Sequence, residues 1–189
     1  MPEAPRPSLM TGAAVMIILL AACAAALPLL HLPSGGAVGW LLLAAGVTEL
    51  VAGAARHAEG RLPPMVAGAA TTIAGLLFIV DPLIGLFPVS YVVTGWLFVR
   101  GAILLASRFH AGTRLKIWAL FAGLADLTLA LMLAFGLPII GLVSGLFGAT
   151  PEMLTAFAIM LAVSFLITGL SLLALAAFER ERSTSTAIA

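Results

Sequence analysis

Long apolar runs, separated by short polar breaks, are the feature that most restricts how this chain can fold. Six such runs cover approximately residues 9–31, 36–55, 64–80, 83–106, 116–136 and 153–178. Each is close to the roughly 20 residues that an α-helix needs to cross the hydrocarbon of a bilayer. A membrane strand would alternate apolar and polar residues, and no run alternates in this way. We therefore predict an all-α membrane protein in which residues 1–189 form a single integral membrane domain with six transmembrane helices.

Composition supports lipid as the surroundings of the chain. Hydrophobic residues make up 62% and charged residues 9% of the sequence, whereas an ordinary soluble domain carries about 25% charged residues. So few charges cannot cover the surface of a water-soluble globule. The same numbers exclude a disordered chain and a nucleic-acid-binding module, which need polarity or a basic excess. The lipid bilayer is the partner that composition implies, and no nucleic acid is expected.

Sequence motifs for catalysis are absent. There is no phosphate-binding loop, nucleophile elbow or zinc-protease helix. The single cysteine, Cys23, excludes a disulfide framework, and no two histidines stand at metal-ligand spacing. Eight acidic residues and three histidines, mostly in predicted loops or caps, leave little for a catalytic constellation. We expect no enzymatic activity, no cofactor and no metal site.

The basic residues predict the orientation of the chain. If the N-terminus lies inside the cell, all nine fall toward the cytoplasmic face, and the opposite breaks around Ser34, Asp81 and Thr150 contain none. This asymmetry is the positive-inside pattern, and it predicts a multi-pass protein of the bacterial inner (plasma) membrane with both termini in the cytoplasm. The nine residues are Arg6, Arg56, Arg61, Arg100, Arg108, Arg114, Lys116, Arg180 and Arg182.

An internal repeat of about 55 residues relates the parts of the chain. The inner segment at residues 57–62 (HAEGRL) resembles that at 110–115 (HAGTRL), and Gly39-Trp40 resembles Gly95-Trp96. Each predicted hairpin enters and leaves from the same side, so the repeats are parallel in the membrane. We predict three parallel-repeat helical hairpins packed around a pseudo-threefold axis near the membrane normal.

The order of these elements resembles the HdeD family of bacterial acid-resistance membrane proteins. The clearest match is residues 118–130, which fit the family's W-x-L-x-x-G-x-x-D-x-x-x-A helix through Trp118, Gly123 and Asp126. The segment Gly148–Pro151 is also similar. The resemblance implies six spans built from duplicated hairpins and a physiological role in acid resistance. It does not imply a reaction.

Three ionisable residues lie inside the predicted spans and are the candidate intramembrane polar sites: Glu49, Arg100 and Asp126. At 1.5 Å per residue, Glu49 and Arg100 lie about 10 and 12 Å from the inner helix ends, and Asp126 lies at about 15 Å. Glu49 and Arg100 share a depth, so they can form a buried ion pair. Alternatively each reaches the inner interface separately, or the two serve a proton or ion pathway.

Asp126 has no partner evident from the sequence. One interpretation is a neutral carboxyl that joins helices by hydrogen bonding to Thr71, Thr72, Thr94 or Ser90. The other is a site that responds to protons as the cell acidifies.

The outer breaks contain helix-start signals and one unusual apolar segment. Asp81-Pro82 and Thr150-Pro151 are typical of an N-cap followed by proline at the first helical position. Residues 137–148 (LPIIGLVSGLFG) are too short to span. They extend the fifth span, lie at the interface, or cover the outer face of the bundle.

Three functions fit these observations. The first is a non-enzymatic inner-membrane protein, resembling the HdeD family, that supports acid or envelope stress resistance. The second is a structural or accessory subunit that binds a membrane-protein partner or forms a homo-oligomer. The third is a small transporter or proton-responsive channel that uses the intramembrane carboxylates.

Overall fold

The computed structural model describes residues 7–29, 35–56, 58–80, 89–107, 113–147 and 151–188. Within these ranges the chain is entirely helical apart from a short turn at Ala55 and Arg56. The helices are α1 (Pro7–Leu29), α2 (Gly35–Ala54), α3 (Ala58–Val80), α4 (Val89–Ser107), α5 (Thr113–Phe147) and α6 (Pro151–Ile188).

Five of the described helices are long and apolar enough to cross a membrane, and these indicate a membrane protein. The sixth, α4, has a shorter apolar stretch at Tyr91–Ser107. The long apolar stretches are Ser8–Leu29, Gly36–Ala54, Arg61–Val80, Ala119–Gly136 and Thr155–Phe178.

Several helix limits differ from the apolar runs. Residues 137–147 continue α5, which selects one of the three placements considered for that segment. Helix α3 begins at Ala58 and α6 continues to Ile188, well beyond their runs, because a helix outside the hydrocarbon does not need apolar residues. Helix α6 begins at Pro151, in agreement with proline at the first helical position. The cap predicted at Asp81-Pro82 lies outside the described residues.

The helices form a closed ring. Each contacts its neighbours in the chain, and α1 also contacts α6. The most extensive packing is within the pairs α2–α3, α4–α5 and α6–α1. The predicted hairpins instead joined α1 with α2, α3 with α4 and α5 with α6, which pack less closely.

Small residues explain which helices approach most closely. In each close pair a glycine of one helix lies against a backbone carbonyl of the other, so that an added Cβ would crowd the carbonyl oxygen. Without side chains at the contact, two backbones can approach each other closely in an apolar phase. The glycine-to-carbonyl pairs, with the distance that a Cβ would have from the oxygen, are Gly46 with Gly68 (2.8 Å), Gly101 with Gly123 (3.0 Å) and Gly169 with Ala14 (3.2 Å).

Many large apolar side chains face outward from the bundle, and its interior combines small, polar and large apolar side chains. Trp40 is 62% exposed and Phe135 is 83% exposed, whereas Ala14, Ala24 and Ala45 are fully buried. In water this distribution would leave a large apolar surface unsatisfied. It fits a protein surrounded by hydrocarbon.

Two described basic residues, Arg56 and Arg180, lie close in the chain to residues that pack together at one end of the bundle. Met10, Ala55 and Ala176 are in contact there, which places the start of α1 beside the end of α2 and the C-terminal part of α6. Arg180 also donates a hydrogen bond to Thr11 Oγ1 at 3.2 Å.

Candidate functional site

The buried polar groups of the described chain are concentrated at one place in the bundle. Among its five buried polar or charged residues, Glu49, Asp126 and Ser164 bond directly to Arg100, and Thr71 is connected to Arg100 through Glu49. We call these five residues, together with their hydrogen-bonded neighbours Trp96 and Thr168, the Arg100 cluster. Its members are Glu49 on α2, Thr71 on α3, Trp96 and Arg100 on α4, Asp126 on α5, and Ser164 and Thr168 on α6.

Arg100 lies at the centre and is only 1% exposed. Its Nη1 donates to Asp126 Oδ2 at 3.2 Å and to Ser164 Oγ at 2.5 Å. Its Nη2 donates to Glu49 Oε1 and, at 2.8 Å, to Thr168 Oγ1. The guanidinium therefore joins α2, α5 and α6 to α4. Of its three nitrogens, only Nε has no hydrogen-bond partner among the described residues.

Asp126 receives a donor on each carboxylate oxygen. Oδ2 accepts from Arg100, and Oδ1 accepts from the Ser164 hydroxyl at 2.6 Å. Ser164 in turn accepts from Arg100, so its hydroxyl connects the cation and the carboxylate. Thr168 donates its own proton to the Ser164 carbonyl one turn earlier, at 2.9 Å. Each oxygen of Asp126 therefore has a donor, which suits an ionised carboxylate.

Glu49 has fewer well-placed hydrogen-bond donors than Asp126. Oε1 accepts from Arg100, while Oε2 lies 3.5 Å from Thr71 Oγ1. The Thr71 hydroxyl already donates to the Ala67 carbonyl at 2.9 Å and accepts the indole N–H of Trp96 at 3.1 Å. Oε2 therefore has no well-placed donor among the described residues.

Trp96 forms one wall of the cluster. Its ring centroid lies 5.5 Å from Arg100 Cζ, within the range of a cation–π interaction. The ring also meets Phe165 edge-on, with centroids 6.4 Å apart. Because Trp96 and Arg100 are four residues apart on α4, the helix itself stacks one above the other.

The glycine contacts bring the charged helices together. A Cβ on Gly101 would lie 3.4 Å from Asp126 Cβ, and a Cβ on Gly68 would lie 3.0 Å from Glu49 Cβ. The arginine-bearing helix can therefore approach α5 closely, and α3 can approach the glutamate-bearing helix. The equivalent glycines Gly46, Gly101 and Gly169 are preceded by different residues. Arg100 precedes Gly101, whereas Ala45 and Thr168 stand at the corresponding positions.

The structure brings all three candidate residues together. Glu49 and Arg100 are in direct contact, as the ion-pair interpretation required, and neither side chain extends to a helix end. Asp126 is bonded to Arg100 and Ser164, and the expectation that it bonds to threonines or serines of α3 and α4 missed these partners. Depth along one helix could not reveal which face of α6 meets α5.

Ser164 and Thr168 were not anticipated. The available signal is their spacing: hydroxyls four residues apart lie on one face of an otherwise apolar helix. Metal binding has no support in the described ranges, where no group of three or more His, Cys, Asp or Glu residues is close enough to hold an ion.

Fold and site together define a bundle of apolar helices joined internally by one buried ionic cluster. Residues 66–135, from α3 to α5, match a family model described as "Short repeat of unknown function (DUF308)". Proteins of the HdeD family contain this repeat. The matched segment includes four members of the Arg100 cluster: Thr71, Trp96, Arg100 and Asp126. No curated protein and no solved structure matches the chain.

Proposed function

We propose that the chain is a six-span protein of the bacterial inner membrane, built from three parallel repeats, with both termini in the cytoplasm. The recurring glycine-to-carbonyl contact in three helix pairs supports the repeat. The meeting of the segments next to Arg56 and Arg180 at one end of the bundle supports the orientation, because cytoplasmic segments are rich in Lys and Arg. Accessibility labelling of single cysteines placed after α2 and after α6, in intact cells, tests it. Labelling by a membrane-impermeant reagent at either position would contradict this topology.

Its function, in this proposal, is to support resistance to acid or envelope stress without catalysing a reaction. The observation that carries the proposal is the match of residues 66–135 to a repeat that HdeD proteins contain. The geometry is compatible with a structural role. The ionisable groups of the Arg100 cluster bond mainly to one another and to helix hydroxyls, so the cluster acts as a joint between helices.

Acid survival of a deletion strain tests this function. We expect survival after an acid challenge to fall and to be restored by the wild-type gene, but not by Arg100→Ala. Glu179→Gln, which follows the apolar stretch of α6 at Thr155–Phe178, is the matched control and should restore survival. Membrane levels of each variant are measured in parallel. Unchanged survival of the deletion strain in every growth phase would contradict the proposal.

A proton-responsive channel or small transporter is the second candidate, favoured by the meeting of both intramembrane carboxyls at one cation. Proton flux into liposomes, compared between wild type and Asp126→Asn, separates the two functions. Flux equal to that of empty vesicles would exclude a channel. A membrane-protein partner or a homo-oligomer is a further proposal, which native mass measurement in mild detergent tests.

A further inference from the structure

The Arg100 cluster contains one more acid than base. Glu49 and Asp126 face the single cation Arg100, and all three are at most 4% exposed. Among the described side chains, the other helices around them supply no compensating charge. Helix α3 contributes the hydroxyl of Thr71, α6 contributes those of Ser164 and Thr168, and α1 contains no acidic, basic or histidine residue.

With both carboxyls ionised, the cluster would hold an uncompensated negative charge. A buried charge without a partner is strongly unfavourable, and a carboxyl in that position becomes neutral by taking up a proton. Charge balance therefore requires one proton on one of the two carboxyls.

The hydrogen bonds identify which oxygen takes the proton. Both oxygens of Asp126 accept bonds from donors that cannot be reversed without losing contacts, namely Arg100 and a serine that itself accepts from Arg100. In Glu49 only Oε1 has a firm donor. Oε2 faces Thr71 Oγ1, whose own proton is used by the Ala67 carbonyl and which has a lone pair left to accept.

We propose that Glu49 is a proton-binding site, with a proton resident on Oε2 at neutral pH, and that Asp126 is the ionised partner of Arg100. The Glu49 O–H then points to Thr71 Oγ1, while its carbonyl oxygen Oε1 still accepts from Arg100. The cluster becomes neutral, and loss of this proton adds a negative charge where α2 meets α4. The protonation of Glu49 does not depend on the proposed role in stress resistance.

Infrared spectroscopy of the purified full-length protein in lipid tests the assignment. A protonated carboxyl has a carbonyl stretch separate from that of a carboxylate, and it shifts in heavy water. We expect one such band at neutral pH in the wild type. The band should shift in protein made with glutamate carrying a ¹³C side-chain carboxyl, and stay in place when only aspartate carries that label.

Two variants localise the band among the glutamates. Glu49→Gln, which imitates the neutral carboxyl, should remove it, and Glu179→Gln should leave it unchanged. The proposal is overturned if the wild type shows no protonated-carboxyl band, if the band shifts with labelled aspartate, or if it survives in folded Glu49→Gln. Even if a variant does not fold, the labelled wild-type samples decide between Glu49 and Asp126, the two buried carboxyl residues of the described chain.

Discussion

The Ser164 hydroxyl accepts a hydrogen bond from Arg100 at 2.5 Å, although the two residues lie 64 positions apart in the chain. The same hydroxyl donates a hydrogen bond to Asp126 Oδ1 at 2.6 Å. The neutral Ser164 hydroxyl therefore bridges the Arg100 guanidinium and the Asp126 carboxylate, and it connects α6 to α4 and α5. Because the partners of each side chain are known, single substitutions can measure how much each member of the Arg100 cluster contributes to the stability of the bundle.

Removing the central cation should be the most damaging change. Arg100→Met leaves the ionised carboxylate of Asp126 without a counterion and Glu49 Oε1 without its donor, and breaking a buried ion pair from one side costs about 3–5 kcal/mol. The free energy of unfolding in mixed detergent micelles measures the loss. Adding Glu49→Gln and Asp126→Asn to Arg100→Met removes the stranded charge together with both buried carboxyls, and should recover much of the stability. A triple variant as unstable as the single one would show that charge is not the cause.

The bridging hydroxyl should matter more than other hydroxyls of the same helix. Ser164→Ala leaves Asp126 Oδ1 without its donor and should lower the free energy of unfolding by about 1–3 kcal/mol. Ser171→Ala is the matched control, because that hydroxyl bonds to the Ile167 carbonyl of its own helix at 2.7 Å. Equal effects of the two changes would argue against the bridge.

The two carboxyls should respond differently to neutral substitution. Glu49→Gln replaces a group that we propose to be neutral, so the thermal midpoint of unfolding should change little. Asp126→Asn removes the ionised partner of Arg100 and the acceptor of Ser164, so the midpoint should fall clearly. A larger fall for Glu49→Gln than for Asp126→Asn runs against the assignment.

Glycine contacts predict where an added methyl group is tolerated. A Cβ at Gly46 would lie 2.8 Å from the Gly68 carbonyl oxygen, so Gly46→Ala must push α2 and α3 apart and should cost about 1–3 kcal/mol. Nothing lies within 4 Å of a Cβ at Gly95, so Gly95→Ala should be neutral or slightly stabilising. Denaturant titration of both variants tests the contrast, and equal destabilisation would contradict the close approach.

Sequence reasoning located the charges of the site but not their full surroundings. Glu49 and Arg100 could be paired because helical rise gives each a depth, and burial of a charge demands a partner. Ser164 and Thr168 could not be found in this way. A hydroxyl in an apolar helix can bond to the backbone of its own helix, so it does not require a partner on another helix.

The same limit applies to the packing of the helices. Repeated glycines indicated close approach, but a glycine does not specify which neighbour it approaches. The sequence therefore indicated hairpins, whereas the closest pairs lie between them and include α6 with α1.

That last pair has a consequence for biosynthesis. Helix α1 leaves the ribosome first and α6 last, so the face of α1 around Ala14 and Ile18 must wait in the membrane for its partner. Until α6 is inserted, Arg100 also lacks the hydroxyls of Ser164 and Thr168. Closure of the ring therefore waits for α6. A chain interrupted before α6 still has Glu49 and Asp126 as partners for Arg100, but it leaves Asp126 Oδ1 without the Ser164 donor and the face of α1 around Ala14 uncovered.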